Sequence, residues 1–123
     1  MPRDDNSRKA ADARGRHAER RAAEALVAEG WLVLAERVRT PAGEIDLVAE
    51  RDGLLAFVEV KARATLGEAA HALGPAQRRR LAGAAEAWMA ANPGHGATGV
   101  RFDVLLVDAE GRVRRIADAF RLE

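Results

Sequence analysis

A chain of 123 residues with a formal net charge of +1 and no cysteine supports one hydrophobic core and excludes disulfides, thiolate zinc sites and cysteine nucleophiles together. At that charge, any nucleic-acid binding has to come from local clustering of cations rather than from overall attraction. The composition is globular, no apolar run reaches the length of a membrane span, and Met1 to Lys9 is not followed by the apolar segment of a signal peptide, so one cytoplasmic domain over 1–123 is expected.

Residues 1–6 read as a flexible tail. A helix is expected from about Ser7, capped by Asp5, Asn6 or Ser7, to Glu29, with Gly30 ending it. Ala11, Ala18, Ala22, Ala25 and Leu26 fall on one stripe at helical spacing. Glu19 borders that stripe, and two readings compete for it. It is either an acid directed along the buried seam or an exposed acid pairing with Arg16, Arg20 or Arg21. Trp31 to Val38 reads as a strand, and Thr40-Pro41-Ala42-Gly43 as a turn.

The stretch from Gly43 to Lys61 organises the rest. Ile45, Leu47 and Val48 belong to one strand; Leu54, Leu55, Phe57, Val58 and Val60 belong to the next. Asp52-Gly53 between them suits a type I′ turn, whose central residues both need positive φ. Counting outward, Arg51 faces Leu54, Asp46 faces Glu59 and Glu44 faces Lys61. Side chains alternate along a strand, so Glu44 and Asp46 share a face, opposite Glu59 and Lys61. Carboxylates placed opposite each other repel. A cation between them removes the conflict, and a few carboxylates with retained waters suit a hard divalent ion such as magnesium. Lys61 returns to the same face, where it could hold an anion or a nucleophilic water. The stretch suggests a metal-dependent phosphodiester-cleaving site. A solvated charged face with a Glu44–Lys61 salt bridge explains the same residues with about equal weight.

After Lys61, the run Ala-Arg-Ala-Thr-Leu-Gly-Glu-Ala-Ala-His reads as a loop or short irregular helix across one end of the sheet. A second helix is expected from Pro75 to Ala91, stopped by Asn92-Pro93-Gly94. Its inner side would be Ala76, Leu81, Ala84, Ala85, Trp88 and Met89, with Trp88 in the core rather than stacked on a base. Arg78, Arg79 and Arg80 in the first turns oppose the helix dipole at roughly 0.3–1 kcal/mol each. A solvated face tolerates that, and phosphate contact is the favoured reading. His95 reads as a solvated loop residue; His17, His71 and His95 have no metal-ligand spacing. Val100 to Val107 reads as a strand, Asp108 to Gly111 as a turn and Arg112 to Ala117 as a polar edge strand. Asp103 lies within the former, and counting does not relate it to the other acids. Helix, three strands, helix, two strands make an α/β fold: one mixed sheet with helices packed on it. Lys9 and Lys61 are the only lysines among the basic residues. Arginine's planar fork would serve a plain salt bridge, so a lone ammonium at Lys61 favours a place beside a metal.

In order along the chain, Gly15-x-x-x-Glu19, Gly43-Glu44-Ile45-Asp46-Leu47-Val48, Phe57-Val58-Glu59-Val60-Lys61-x-Arg63, Gln77-x-x-x-Leu81 and Arg101-Phe102-Asp103-Val104 resemble the YraN family of small bacterial proteins. The resemblance runs from Gly15 to Asp108. That family is similar to the PD-(D/E)XK nuclease superfamily, in the branch nearest the archaeal Holliday-junction resolvases. The resemblance implies a restriction-endonuclease-like sandwich and metal-assisted hydrolysis of DNA, branched or structured DNA included, with DNA favoured over RNA. It implies Asp46 as the first motif acid and Glu59-Val60-Lys61 as the acid-x-lysine triplet. Glu19 would be an additional metal carboxylate, and Gln77 a polar helix residue orienting substrate or water. Asp46, Glu59 and Glu19 would hold Mg2+ or Mn2+, while Arg63, Arg78, Arg79 and Arg80 would contact nucleic acid. A homodimer is a further expectation from resolvases, although no stretch of the chain marks an interface. Ile45 stands where the superfamily has proline and Ala18 where the family has a second glycine; neither change removes a ligand. A non-catalytic nucleic-acid-binding module and a protein-interaction subunit remain the alternatives.

Overall fold

The computed structural model describes residues 5–63 and 74–120. The elements are α1 (Asp5–Ala28), β1 (Leu32–Thr40), β2 (Gly43–Arg51), β3 (Leu54–Ala62), α2 (Pro75–Ala91), β4 (Gly99–Val107) and β5 (Val113–Phe120). The strands lie in chain order in one sheet, antiparallel throughout except for β3 and β4. That parallel pair needs a crossover, and α2 supplies it. The expected α/β architecture is therefore present: a five-stranded mixed sheet flanked by two helices, consistent with a restriction-endonuclease-like fold.

The alternation of β3 shows how the helices divide the sheet. Ala56 and Val58 pack with Ala18, Ala22 and Leu26 of α1. Leu55 and Phe57, pointing the other way, pack with Leu81, Ala84, Ala85 and Trp88 of α2. A strand buried on both faces needs a nearly continuous apolar run, and Leu-Leu-Ala-Phe-Val provides one. Trp88 is a core residue, edge-on to Phe57. Ala76, expected on the inner side of α2, is exposed because it lies in the first turn, ahead of the point where the helix meets the sheet. The crossing segment expected after Lys61 falls largely on residues 64–73, outside the described residues, as do His71 and the start of the tail. No described helix is long and apolar enough to cross a membrane.

Two turns set the register that matters for function. The Thr40 hydroxyl accepts the N–H groups of Ala42 and Gly43 and donates to the Gly43 carbonyl, tightening the β1–β2 connection. Helix α2 packs close over that turn: a Cβ on Gly83 would lie 3.0 Å from the Ala42 Cβ. At the other end of the hairpin Asp52 and Gly53 have φ of 52 and 78, and Arg51 pairs with Leu54 as counted. Gly53→Ala should cost more than about 1 kcal/mol, because alanine resists positive φ. Its Cβ would also meet Thr98 Cγ2 at 3.0 Å. Thermal unfolding measures this loss; an unchanged midpoint would contradict the turn assignment.

Candidate active site

The β2–β3 ladder runs from Arg51–Leu54 to Leu47–Val58 and stops there. The expected Asp46–Glu59 and Glu44–Lys61 oppositions are not backbone pairs. Instead Asp46 Oδ2 accepts the Val60 N–H at 2.8 Å, so a side chain takes over the donor that the ladder would have used. The difference goes with a break in the alternation of β2, since Leu47 packs toward α1 but Ile45 toward α2, and Asp46 lies between them. Glu44 does not reach Lys61. Its carboxylate lies 3.3 Å from Arg39 Nε, its neighbour on β1, while Lys61 Nζ sits 3.4 Å from Glu59 Oε1.

Asp46 and Glu59 line one cavity of 260 Å³ with Glu44, Gln77 and Arg80. Helix α2 supplies the last two from its N-terminal turns. Gln77 Oε1 accepts the Gly74 N–H at 3.3 Å, fixing the side chain at the helix start. The Lys61 side chain, only 16% exposed, borders this arrangement through Glu59.

Burial, and next the charge of Glu59, push the Asp46 carboxyl up from its ordinary 3.8 to about 7; Glu19 adds to the rise, while the Val60 N–H and Lys61 oppose it. An acid raised in this way holds its proton in the folded state after losing it in the unfolded chain. Its stabilising contribution is complete below the unfolded value and is lost as pH rises through the folded one. The metal-free protein should therefore melt several degrees lower at about pH 8 than at about pH 5. A pH series of thermal melts checks this, and Asp46→Asn should flatten the slope.

Glu19 is partly buried on α1, and its carboxylate is taken by a residue that no local pattern singles out. Arg37 Nε donates to Glu19 Oε2 at 2.7 Å and Nη2 lies 3.5 Å from Oε1. Arg16 and Arg20, the partners expected on the same helix, line the groove beside it without displacing Arg37.

The remaining candidates divide. Arg80 reaches the cavity, whereas Arg78 and Arg79 lie exposed on the same helix. Arg63 lies elsewhere, donating its N–H to the Val107 carbonyl and lining a different hollow with His17 and Asp108. Asp103 is buried against Arg101. His95 is not simply solvated: Nδ1 is 3.1 Å from Glu50 and its ring lies 5.4 Å from Trp88. This contact joins the loop after α2 to β2, a long-range pairing invisible to local spacing.

The residues fit a hard divalent cation by the chemistry of their donors: the carboxylates of Asp46 and Glu59, with that of Glu44 and the Gln77 amide, line one cavity. Among the described residues no three His, Asp or Glu side chains stand grouped closely enough to hold a metal ion. Asp46 and Glu59 would be the protein ligands, with water completing the set, as magnesium commonly retains.

The sequence profile of the uncharacterised protein family UPF0102 matches residues 18–107. A UPF0102 protein of Granulibacter bethesdensis is 63% identical over 109 residues, covering 89% of this chain and 69% of the relative. UPF0102 proteins of a Bradyrhizobium species and of Nitrobacter winogradskyi are 51% and 50% identical over 106 residues, 86% of this chain and 75% and 90% of theirs. The match covers α1 from Ala18 onward, all of α2, the acid pair and the lysine beside it, and the chain belongs to family UPF0102, the YraN family.

Proposed function

We propose that this protein is a metal-dependent endonuclease that binds DNA and hydrolyses its phosphodiester bonds, with branched or structured DNA as the substrate class. The observation that carries the reading is the shared cavity of Asp46 and Glu59, two acids held together at the sheet end under the N-terminus of α2. Repulsion of this kind is relieved by a cation. Magnesium or manganese, when bound, supplies charge to polarise the scissile phosphate and a water of lowered pKa.

The chain's own groups have distinct tasks. Asp46 and Glu59 anchor the cation and fix its place relative to the sheet. Lys61, paired with Glu59, can turn its ammonium to the attacking water or to charge developing on the phosphate. Gln77, with its carbonyl engaged by Gly74, retains an NH2 group as donor to a substrate oxygen. Arg80 at the cavity, continued outward by Arg78 and Arg79, meets flanking phosphates.

A second reading, a nucleic-acid-binding module without cleavage, is favoured by one observation: Lys61 on Glu59 and Arg37 on Glu19 already balance two of the acids. One experiment separates the two. Purified protein with magnesium or manganese should nick supercoiled plasmid or a branched duplex, and Asp46→Ala and Glu59→Ala should abolish the activity. Equal nicking by all three proteins would expose a contaminant and end the nuclease reading. Salt-dependent DNA binding without nicking, surviving Asp46→Ala, would establish the binding module.

A further inference from the structure

Strand β1 breaks its pleat at Arg37, whose φ is 50. Consecutive residues of a regular strand point to opposite faces. Here Glu36 and Arg37 both line the groove between α1 and β1, together with Glu19. The ladder places Val38 opposite Ile45 and Glu36 opposite Leu47, so Arg37 stands at the level of Asp46. Strand β2 loses its alternation at the same level. Leu47 and Ala49 pack toward α1, yet Ile45 packs with Val48 toward α2. One irregularity therefore lies beside the acid and delivers the Arg37 guanidinium to both oxygens of Glu19, at 2.7 and 3.5 Å. Left-handed non-glycine residues persist where their surroundings hold them, and they concentrate at functional sites. An arginine fork on a carboxylate fixes the plane of that group as well as its position.

We infer that Arg37 is a positioning residue of the metal site: its left-handed backbone and forked guanidinium hold Glu19 in the groove beside the level of Asp46, so that Glu19 adds negative charge from outside the cavity to a cation held by Asp46 and Glu59. The inference rests on the metal-dependent reading above. Arg37 acts through Glu19 and touches neither metal nor substrate. A guanidinium so near a cation site could instead oppose binding by its charge, and the two roles differ in sign.

Calorimetric titration of Mn2+ into the intact protein distinguishes them. Arg37→Gly is the informative variant, since glycine accepts the backbone angle without strain. Its melting temperature, measured alongside, should stay within a few degrees of wild type. The variant should bind Mn2+ about tenfold more weakly, the scale typical of residues that orient metal ligands. Glu19→Gln should weaken binding to a similar extent, and the double variant should bind no more weakly than Glu19→Gln alone. An unchanged or tighter Mn2+ affinity in Arg37→Gly would overturn the inference, as would a loss that persists in the Glu19→Gln background. If wild type binds no Mn2+, or binds it equally well as Asp46→Asn, the metal site fails and this inference fails with it. Mn2+ binding that depends on Asp46 but not on Arg37 overturns the positioning role alone.

Discussion

Asp46→Asn should reduce metal-dependent cleavage by about a thousandfold or more, while making the metal-free protein more stable above neutral pH. The two effects have one origin. Asparagine is close to aspartate in shape and keeps an oxygen to accept the Val60 N–H, so the place where the ladder opens is preserved. It has no charge to set against Glu59 and Glu19, which both push the native carboxyl upward. The stability gain should be on the order of 1 kcal/mol at about pH 8 and should vanish near pH 4, where the native acid is protonated. Melting curves with and without Mn2+ read both halves: the metal should raise the midpoint of wild type and leave that of Asp46→Asn unmoved. Destabilisation at every pH would mark Asp46 as a structural hydrogen-bond acceptor and nothing more. Improved stability on loss of a functional group is the usual sign that a site carries strain for its chemistry.

Phe57→Ala should be the most damaging single truncation on the α2 side of the core, costing about 3–5 kcal/mol. A domain of this kind has a total stability of about 5–15 kcal/mol. Phe57 is fully buried in central strand β3. Its ring meets Trp88 edge-on and Phe102 stacked, each with centroids 5.8 Å apart. Removing it opens a cavity under α2, whose N-terminal turns carry Gln77 and Arg80. Asp46 and Glu59 stand on the sheet and depend less on that helix. Cleavage should therefore fall further than Mn2+ affinity in any Phe57→Ala protein that remains folded. Urea unfolding gives the energy, and a red shift of tryptophan emission follows exposure of Trp88. A loss below about 1 kcal/mol would mean that the helix rests mainly on other contacts.

Much of the fold was legible because its signals are local. Asp52-Gly53 sets the hairpin, Pro75 and Asn92-Pro93 bracket a helix, and the apolar run from Leu54 marks a strand covered on both faces. The inward placement of Ala18, Ala22, Leu26 and Trp88 follows from helical period alone. Counting from the turn brought Asp46 and Glu59 to one end of the hairpin, and they do line a common cavity. Counting failed where the sheet ceases to be regular. It assumed a ladder that continues to Glu44 and Lys61, whereas the pairing ends at Leu47 and Val58 and Asp46 accepts the Val60 N–H with its side chain. It paired Glu44 across the wrong neighbour, since β1 offers Arg39 at closer range. No local pattern marks Arg37 as left-handed, or links His95 to Glu50, because each depends on what a distant element places beside it. The implied roles of the site residues came from the motifs as a set, and the experiments above test them.

Strand order that follows chain order has a kinetic consequence. Every sheet neighbour except across α2 is joined by a short connection, and the hairpin that brings Asp46 toward Glu59 closes over two residues, as does the turn before it. Contacts so close in sequence form early, on the microsecond scale for a hairpin. The two acids thus meet on the way into the native basin rather than after arrival. Alkaline conditions should slow refolding as well as hasten unfolding, and on the metal-dependent reading proposed above Mn2+ present from the start should speed refolding.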